Sequence, residues 1–210
     1  MNMIKAVIFD VDGVLVDSFE ANYKFFNDLM GKFGYGFMRK EEFSSFYVPM
    51  KDIIRHSTQL TNEGEIEKIW ESGKDRQEVP YPYEFLNIPK HLPKTIKKLS
   101  KDYNLGIVTS RGRDNVFEIP QISTLQKYFN VLVGYQDTDN HKPHPEPLIL
   151  AAEKLGVQTY ECVYIGDSKS DILAARAAGM KSVLYHKENI HNADANFSFF
   201  EELSGIIESI

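Results

Sequence analysis

Short apolar runs, each ending on a polar residue, punctuate this chain. Ala6-Val7-Ile8-Phe9 stops at Asp10, the pattern of a buried strand. Leu105-Gly106-Ile107-Val108 stops at Thr109, and Phe129-Asn130-Val131-Leu132-Val133 forms a third run. Cys162-Val163-Tyr164-Ile165 leads into Gly166-Asp167, and residues 182–185 form a fifth. Between the runs the period becomes helical. Residues 93–101 read as a helix with Ile96 and Leu99 inward, and residues 122–128 as another. A proline-started helix runs to Leu155 and is closed by Gly156. An alanine-rich helix over 172–178 stops at Gly179, and the tail from Phe197 reads as a short extended piece and an amphipathic helix. Strands alternating with helices imply an α/β fold, a parallel sheet with right-handed crossovers.

Residues 18–83 break that alternation. Apolar residues recur there at helical spacing: Tyr23, Phe26, Met30 and Phe33, then Ile53, Ile54 and Leu60, then Ile66, Ile69 and Trp70. Polar breaks lie at Gly34-Tyr35-Gly36 and Thr61-Asn62-Glu63-Gly64. The stretch predicts about four helices and no sheet, an all-helical insert. The proline-broken segment from Tyr81 to Pro89 reads as the hinge back. The expected division is therefore 1–17 with 84–210 as the α/β core, and 18–83 as the insert.

In parallel sheets, ligands bind beyond the carboxyl ends of the strands. Asp10, Thr109 and Asp167 stand at such ends, and Lys142 follows the third strand at loop distance. Asp10 and Asp12 point the same way if the chain stays extended. At about 4 Å and an effective dielectric near 20, two like charges repel by roughly 4 kcal/mol. A cation between them or a retained proton relieves that, and Gly13 lets the backbone turn sharply. An Asx-type turn is the ordinary alternative for such residues. Together Asp10, Asp12, Asp167 and Asp171 make an anionic pocket whose oxygen-only ligands suit magnesium. Thr109, Ser110 and Lys142 are phosphoryl-holding groups. Asp10 is suited to nucleophilic attack and Asp12 to acid/base work. His141 and His144 flank Lys142 and read as polar loop residues, and no GxxxxGK[ST] loop is present.

Composition narrows the picture. With 210 residues, 42% hydrophobic, there is material for one large domain or a domain with an insert. A net charge of -6 favours neither nucleic acid nor an anionic membrane as partner. The lone Cys162 forms no internal disulfide, which fits a reducing cytoplasm. The N-terminal residues do not read as a signal peptide, and no apolar stretch approaches a membrane span.

Four stretches resemble the motifs of haloacid dehalogenase superfamily hydrolases, in the branch of phosphoglycolate phosphatase and beta-phosphoglucomutase. They are Phe9-Asp10-Val11-Asp12-Gly13-Val14-Leu15-Val16-Asp17-Ser18, Ile107-Val108-Thr109-Ser110, Lys142-Pro143-His144-Pro145-Glu146-Pro147, and Ile165-Gly166-Asp167-Ser168-Lys169-Ser170-Asp171 with the alanine-rich segment after it. The resemblance implies a Rossmann-like parallel sheet with helices on both faces and a helical cap at residues 18–83. It implies a phosphatase in which Asp10 forms an aspartyl-phosphate and Asp12 protonates the leaving oxygen, then activates water. Thr109 and Lys142 would hold phosphoryl oxygens. Magnesium would bind the Asp10 carboxylate, the Asp12 main-chain carbonyl and Asp167. Asp171 either orients Lys142 or metal-bound water, or is an acid favoured at a helix N-terminus. An acid at position 12 favours phosphate-ester hydrolysis over dehalogenation.

In the cap the match weakens. Relatives often have a glycine before the helix facing the site, whereas this chain reads Tyr47-Val48-Pro49-Met50-Lys51. Lys51 and Arg55 are candidates for an anionic substrate end, or simply cap-surface cations. Arg111 is a candidate clamp for a second phosphate or carboxylate, or a surface salt-bridge partner. The expected substrate is a small phosphorylated metabolite such as phosphoglycolate, handled by a monomer or homodimer. A phosphosugar mutase, a pyrophosphatase and a non-catalytic binding protein are the alternatives.

Overall fold

The strand-like runs pair as six parallel strands in the computed structural model, which describes residues 4–44 and 50–210. They are β1 (Ala6–Phe9), β2 (Asn104–Val108), β3 (Val131–Val133), β4 (Cys162–Gly166), β5 (Lys181–Tyr185) and β6 (Ala195–Phe197). The helices in chain order are α1 (Phe19–Lys32), α2 (Lys40–Phe43), α3 (Met50–Thr58), α4 (Glu63–Lys74), α5 (Leu92–Leu99), α6 (Glu146–Leu155), α7 (Lys169–Ala178) and α8 (Leu203–Ser209). The chain divides into two compact units, Met1–Asp17 with Asn87–Ile210, and Ser18–Leu86. The single-turn helix Tyr83–Phe85 packs on α1 and so goes with the second unit.

In the first unit the sheet order is β3-β2-β1-β4-β5-β6. The chain steps outward from β1 to β3, then returns to β4 on the other side of β1. That reversal places the crevice of a doubly wound sheet between β1 and β4. The register levels the strand ends: Phe9 pairs with both Ile107 and Ile165, and Val108 pairs with Val133. Residues just past these positions therefore share one edge. All four residues of β1 are fully buried, as expected for a central strand covered on both faces. Ala6 and Ile8 join one core with Leu148, Ala151 and Ala152 of α6 and Ala174, Ala175 and Ala178 of α7. The small alanine side chains let α7 lie close to the sheet. Val7 and Phe9 point to the other face by the period of two. Helices α5 and α8 pack together, with the Thr95 hydroxyl donating to the Phe200 carbonyl at 3.0 Å.

The second unit holds α1 to α4 and, among the described residues, no strand. The buried Tyr23 and Phe43 rings meet there, and the exposed Phe19 and Phe37 rings pack on Tyr23 from outside. The buried Asn27 amide is satisfied by both backbone groups of Met38, which ties the 34–39 loop to α1.

Several boundaries differ from the periodic reading. Residues 123–128 wind as a 3-10 helix; only Leu125 among them is buried, too little packing to hold a short α-helix. The fourth cap helix starts at Glu63 because the Asn62 side chain caps it, accepting from the Gly64 amide at 2.8 Å. Helix α7 starts at Lys169, three residues before its apolar run, because Ser168 and Asp171 form a capping box. The short extended piece expected near Phe197 is the edge strand β6.

Candidate active site

The turn after β1 sets the site. Asp10 lies just beyond Phe9, its amide donating to the Ile165 carbonyl at 2.9 Å, so it is held against β4. One carboxylate oxygen accepts the Val11 amide at 2.7 Å, and the other faces Lys142 Nζ at 2.8 Å. The chain then reverses at Gly13, whose φ is +75°. A β-carbon there would stand 1.9 Å from an Asp167 oxygen, so only glycine fits. Gly166 is equally confined, since a β-carbon would lie 2.2 Å from that of Asp171. These two glycines let the first and fourth acidic segments close on each other.

Lys142 is the hub. Its side chain is 5% exposed, and Nζ lies 2.6 Å from Asp171 and 2.8 Å from Asp10. Burial alone would lower its pKa, but the two carboxylates hold it well above the ordinary lysine value. Asp171 is fully buried and uses both oxygens. Oδ1 accepts from Lys142; Oδ2 accepts the Ser168 amide at 3.0 Å and completes the helix cap. Lysine orientation and helix capping were alternative readings of this residue; each oxygen makes one of these contacts. Burial pushes Asp171 up, and Lys142 with Ser168 brings it below the usual carboxylate range.

Oxygens of Asp10, Asp167 and Asp171 lie within 4.8 Å of one another. Burial pushes Asp10 up to about 7 against the pull of Lys142, with Asp171 and Asp12 adding to the rise. Burial and the Asp171 and Asp10 charges likewise drive Asp167 well up. Negative charge is thus in excess here. Asp10, Asp167 and Asp171 together offer oxygens to a hard divalent cation, with Lys142 contacting two of the three. The donor set fits one, and magnesium suits oxygen donors of this kind.

Thr109 is buried just past β2 and its amide donates to the Val133 carbonyl at 3.0 Å. Its hydroxyl accepts the Arg111 amide at 3.2 Å. Ser110 is exposed. Asp12 stands apart from the three clustered acids. The Arg111 guanidinium grips it with two bonds, Nε to Oδ2 and Nη2 to Oδ1, both 2.7 Å. Of the two expectations for Arg111 the structure shows a salt bridge, with the Arg111 side chain 12% and the Asp12 side chain 30% exposed.

Sequence comparison decides the family: the model of haloacid dehalogenase-like hydrolases matches residues 7–185. The chain is a haloacid dehalogenase-like hydrolase. It is 31% identical to a pyrophosphatase, PpaX, of Bacillus pumilus, over 85% of this chain and 82% of that one. It is 40% identical to the phosphoglycolate phosphatase of Escherichia coli over 94 residues, 44% of this chain and 37% of that one. Among solved structures, a beta-phosphoglucomutase from Clostridium difficile superimposes with a TM-score of 0.79 at 22% identity, covering 99% of this chain and 98% of that one. That last likeness speaks for the fold alone.

In this hydrolase the remaining candidates belong to the second unit. Lys51 and Arg55 lie on α3 in the 18–86 unit. Lys51 pairs with Glu67 at 2.6 Å, and Arg55 pairs with Asp52 and with Glu63 at 2.8 Å. The glycine-less segment before α3, Tyr47-Val48-Pro49, lies outside the described residues. One residue escaped the sequence reading. The Tyr164 hydroxyl, fully buried in β4, accepts from Lys142 at 3.0 Å and donates to the Val108 carbonyl at 3.1 Å. A phenol inside an apolar strand run needs a partner, and that was the signal available.

Proposed function

We propose that this hydrolase is a magnesium-dependent phosphatase of small phosphorylated metabolites, acting through an aspartyl-phosphate on Asp10. The observation that carries the reading is the buried Asp10 carboxylate at the crevice of the sheet, 2.8 Å from an equally buried lysine. The Val11 amide and Lys142 orient the Asp10 carboxylate. An Asp10 oxygen attacks phosphorus, and the bond to the leaving oxygen breaks. Asp12 gives that oxygen a proton. Asp12 then takes a proton from water as the water oxygen attacks phosphorus, and the Asp10–phosphorus bond breaks to release phosphate. Lys142 and Thr109 hold the non-bridging phosphoryl oxygens. Asp10, the Asp12 main-chain carbonyl and Asp167 would hold magnesium, with Asp171 behind them. When bound, the ion neutralises charge on the phosphoryl group. Ser110 adds a hydroxyl at the phosphoryl end. Lys51 and Arg55 serve the distal anionic end of the substrate, since exposed ion pairs such as theirs exchange partners at little cost.

Phosphoglycolate is the proposed ester. Pyrophosphate is a second reading, favoured by the pyrophosphatase relative that matches over most of both chains. The test is phosphate release from a panel of monoesters and pyrophosphate, with magnesium and after chelation. Turnover that is lost on chelation is expected. Failure to release phosphate from any of them overturns the reading.

A further inference from the structure

We propose that Arg111 is a specificity latch: it holds Asp12 at rest and exchanges it for a second anionic group on the substrate. This rests on the phosphatase reading above. To carry a proton to a leaving oxygen, Asp12 has to give up at least one of the two guanidinium bonds that hold it. The pair differs from the Lys142 network in being openable. The Asp12 side chain is 30% exposed, where that of Asp10 is 10% and that of Asp171 is 0%. The backbone under Arg111 is fixed on both sides. Its amide donates to Thr109 Oγ1 at 3.2 Å, and its carbonyl accepts the Tyr135 amide at 2.8 Å. Gly134 presses against Arg113 so closely that a β-carbon would lie 2.5 Å from its nitrogen. Any exchange is therefore a side-chain movement about a rigid loop.

The arginine fork matches a carboxylate or a phosphate equally well, as two parallel N–H bonds. A substrate carrying such a group beside its phosphoryl ester competes with Asp12 for the fork. Binding that substrate frees the Asp12 carboxylate, which takes a proton from solvent, passes it to the leaving oxygen and regains one from the attacking water. A phosphoryl compound without a second anion leaves the latch closed. The class selected is thus small phosphates bearing a second carboxylate or phosphate on the leaving side.

The test compares wild type with Arg111→Met and Arg111→Lys on phosphoglycolate, pyrophosphate and ethyl phosphate. Arg111→Met is expected to lower kcat/KM for the two substrates that carry a second anionic group by about 10–100-fold, mainly through KM. It is expected to raise kcat for ethyl phosphate, because the acid is no longer held. A fall for phosphoglycolate but not pyrophosphate assigns the fork to carboxylates, and the reverse assigns it to phosphates. Equal losses on all three substrates, or no change on any, overturn the latch. Arg111→Lys keeps the charge but not the fork, and decides the matter by the same criteria if Arg111→Met does not fold. A readout without turnover separates this from the phosphatase reading. Wild type should bind methylenebisphosphonate about 10–100-fold tighter than methylphosphonate, and the variants should lose that preference. A wild type that hydrolyses nothing yet shows the preference refutes the phosphatase reading and keeps the fork. A wild type without the preference refutes the latch.

Discussion

The two units carry their charge differently. In the core, Lys142, Asp10 and Asp171 come from three distant segments and are almost sealed from solvent. In the 18–86 unit, Lys24–Asp28 within α1 and Lys51–Glu67 and Arg55–Glu63 between α3 and α4 are solvated pairs. Surface pairs of this kind contribute little to stability. A buried network is costly to break, because removing one member strands the others without water. The core therefore accepts a fixed arrangement of charges for its chemistry. The charges of the insert are free to change at little cost to the fold.

That contrast can be broken most sharply at Asp10. Asp10→Asn removes the nucleophile and should lower turnover by on the order of 10⁴-fold or more, read as phosphate release. Retained turnover would leave the network without a catalytic purpose. Next is Lys142→Met, which leaves Asp171 and Asp10 buried without their cation. A stability loss of about 3–5 kcal/mol is expected in denaturant titration, together with lost activity. A loss below about 1 kcal/mol would put the network on the same footing as the surface pairs.

The third prediction concerns pH. Asp10 is raised to about 7 in the fold, so the folded state holds this proton more tightly than the unfolded chain. Metal-free stability should fall as pH climbs from the ordinary carboxylate range through about 7. Magnesium then has no proton to displace, and its stabilisation should be larger at about pH 8 than at about pH 5.5, measured as the shift in Tm. Equal shifts would contradict a site built on Asp10. The smallest effect belongs to the insert: Arg55→Ala should leave Tm within about 2 °C by scanning calorimetry.

The same contrast explains what could be read from the chain. Strand ends marked by Asp10, Thr109 and Asp167 were legible because a central parallel strand is a continuous apolar run, and a charge beyond it is conspicuous. The helical insert was legible from its period. Helix boundaries moved where a single side chain acts as a cap, at Asn62 in the insert and at Ser168 in the core. The Arg111–Asp12 grip spans 99 residues of sequence, so no local pattern announces it. Tyr164 was absorbed into an apolar run, since a phenol is compatible with burial and its hydroxyl partners come from β2 and the Lys142 loop.

Covalent phosphorylation of Asp10 is the step on which the proposed reaction depends. The most direct measurement is rapid-quench trapping with a substrate labelled on phosphorus, followed by peptide mapping. A hydroxylamine-sensitive label is expected on the peptide carrying Asp10, formed and lost within a turnover and absent from Asp10→Asn. Steady turnover with no label on that peptide would contradict it.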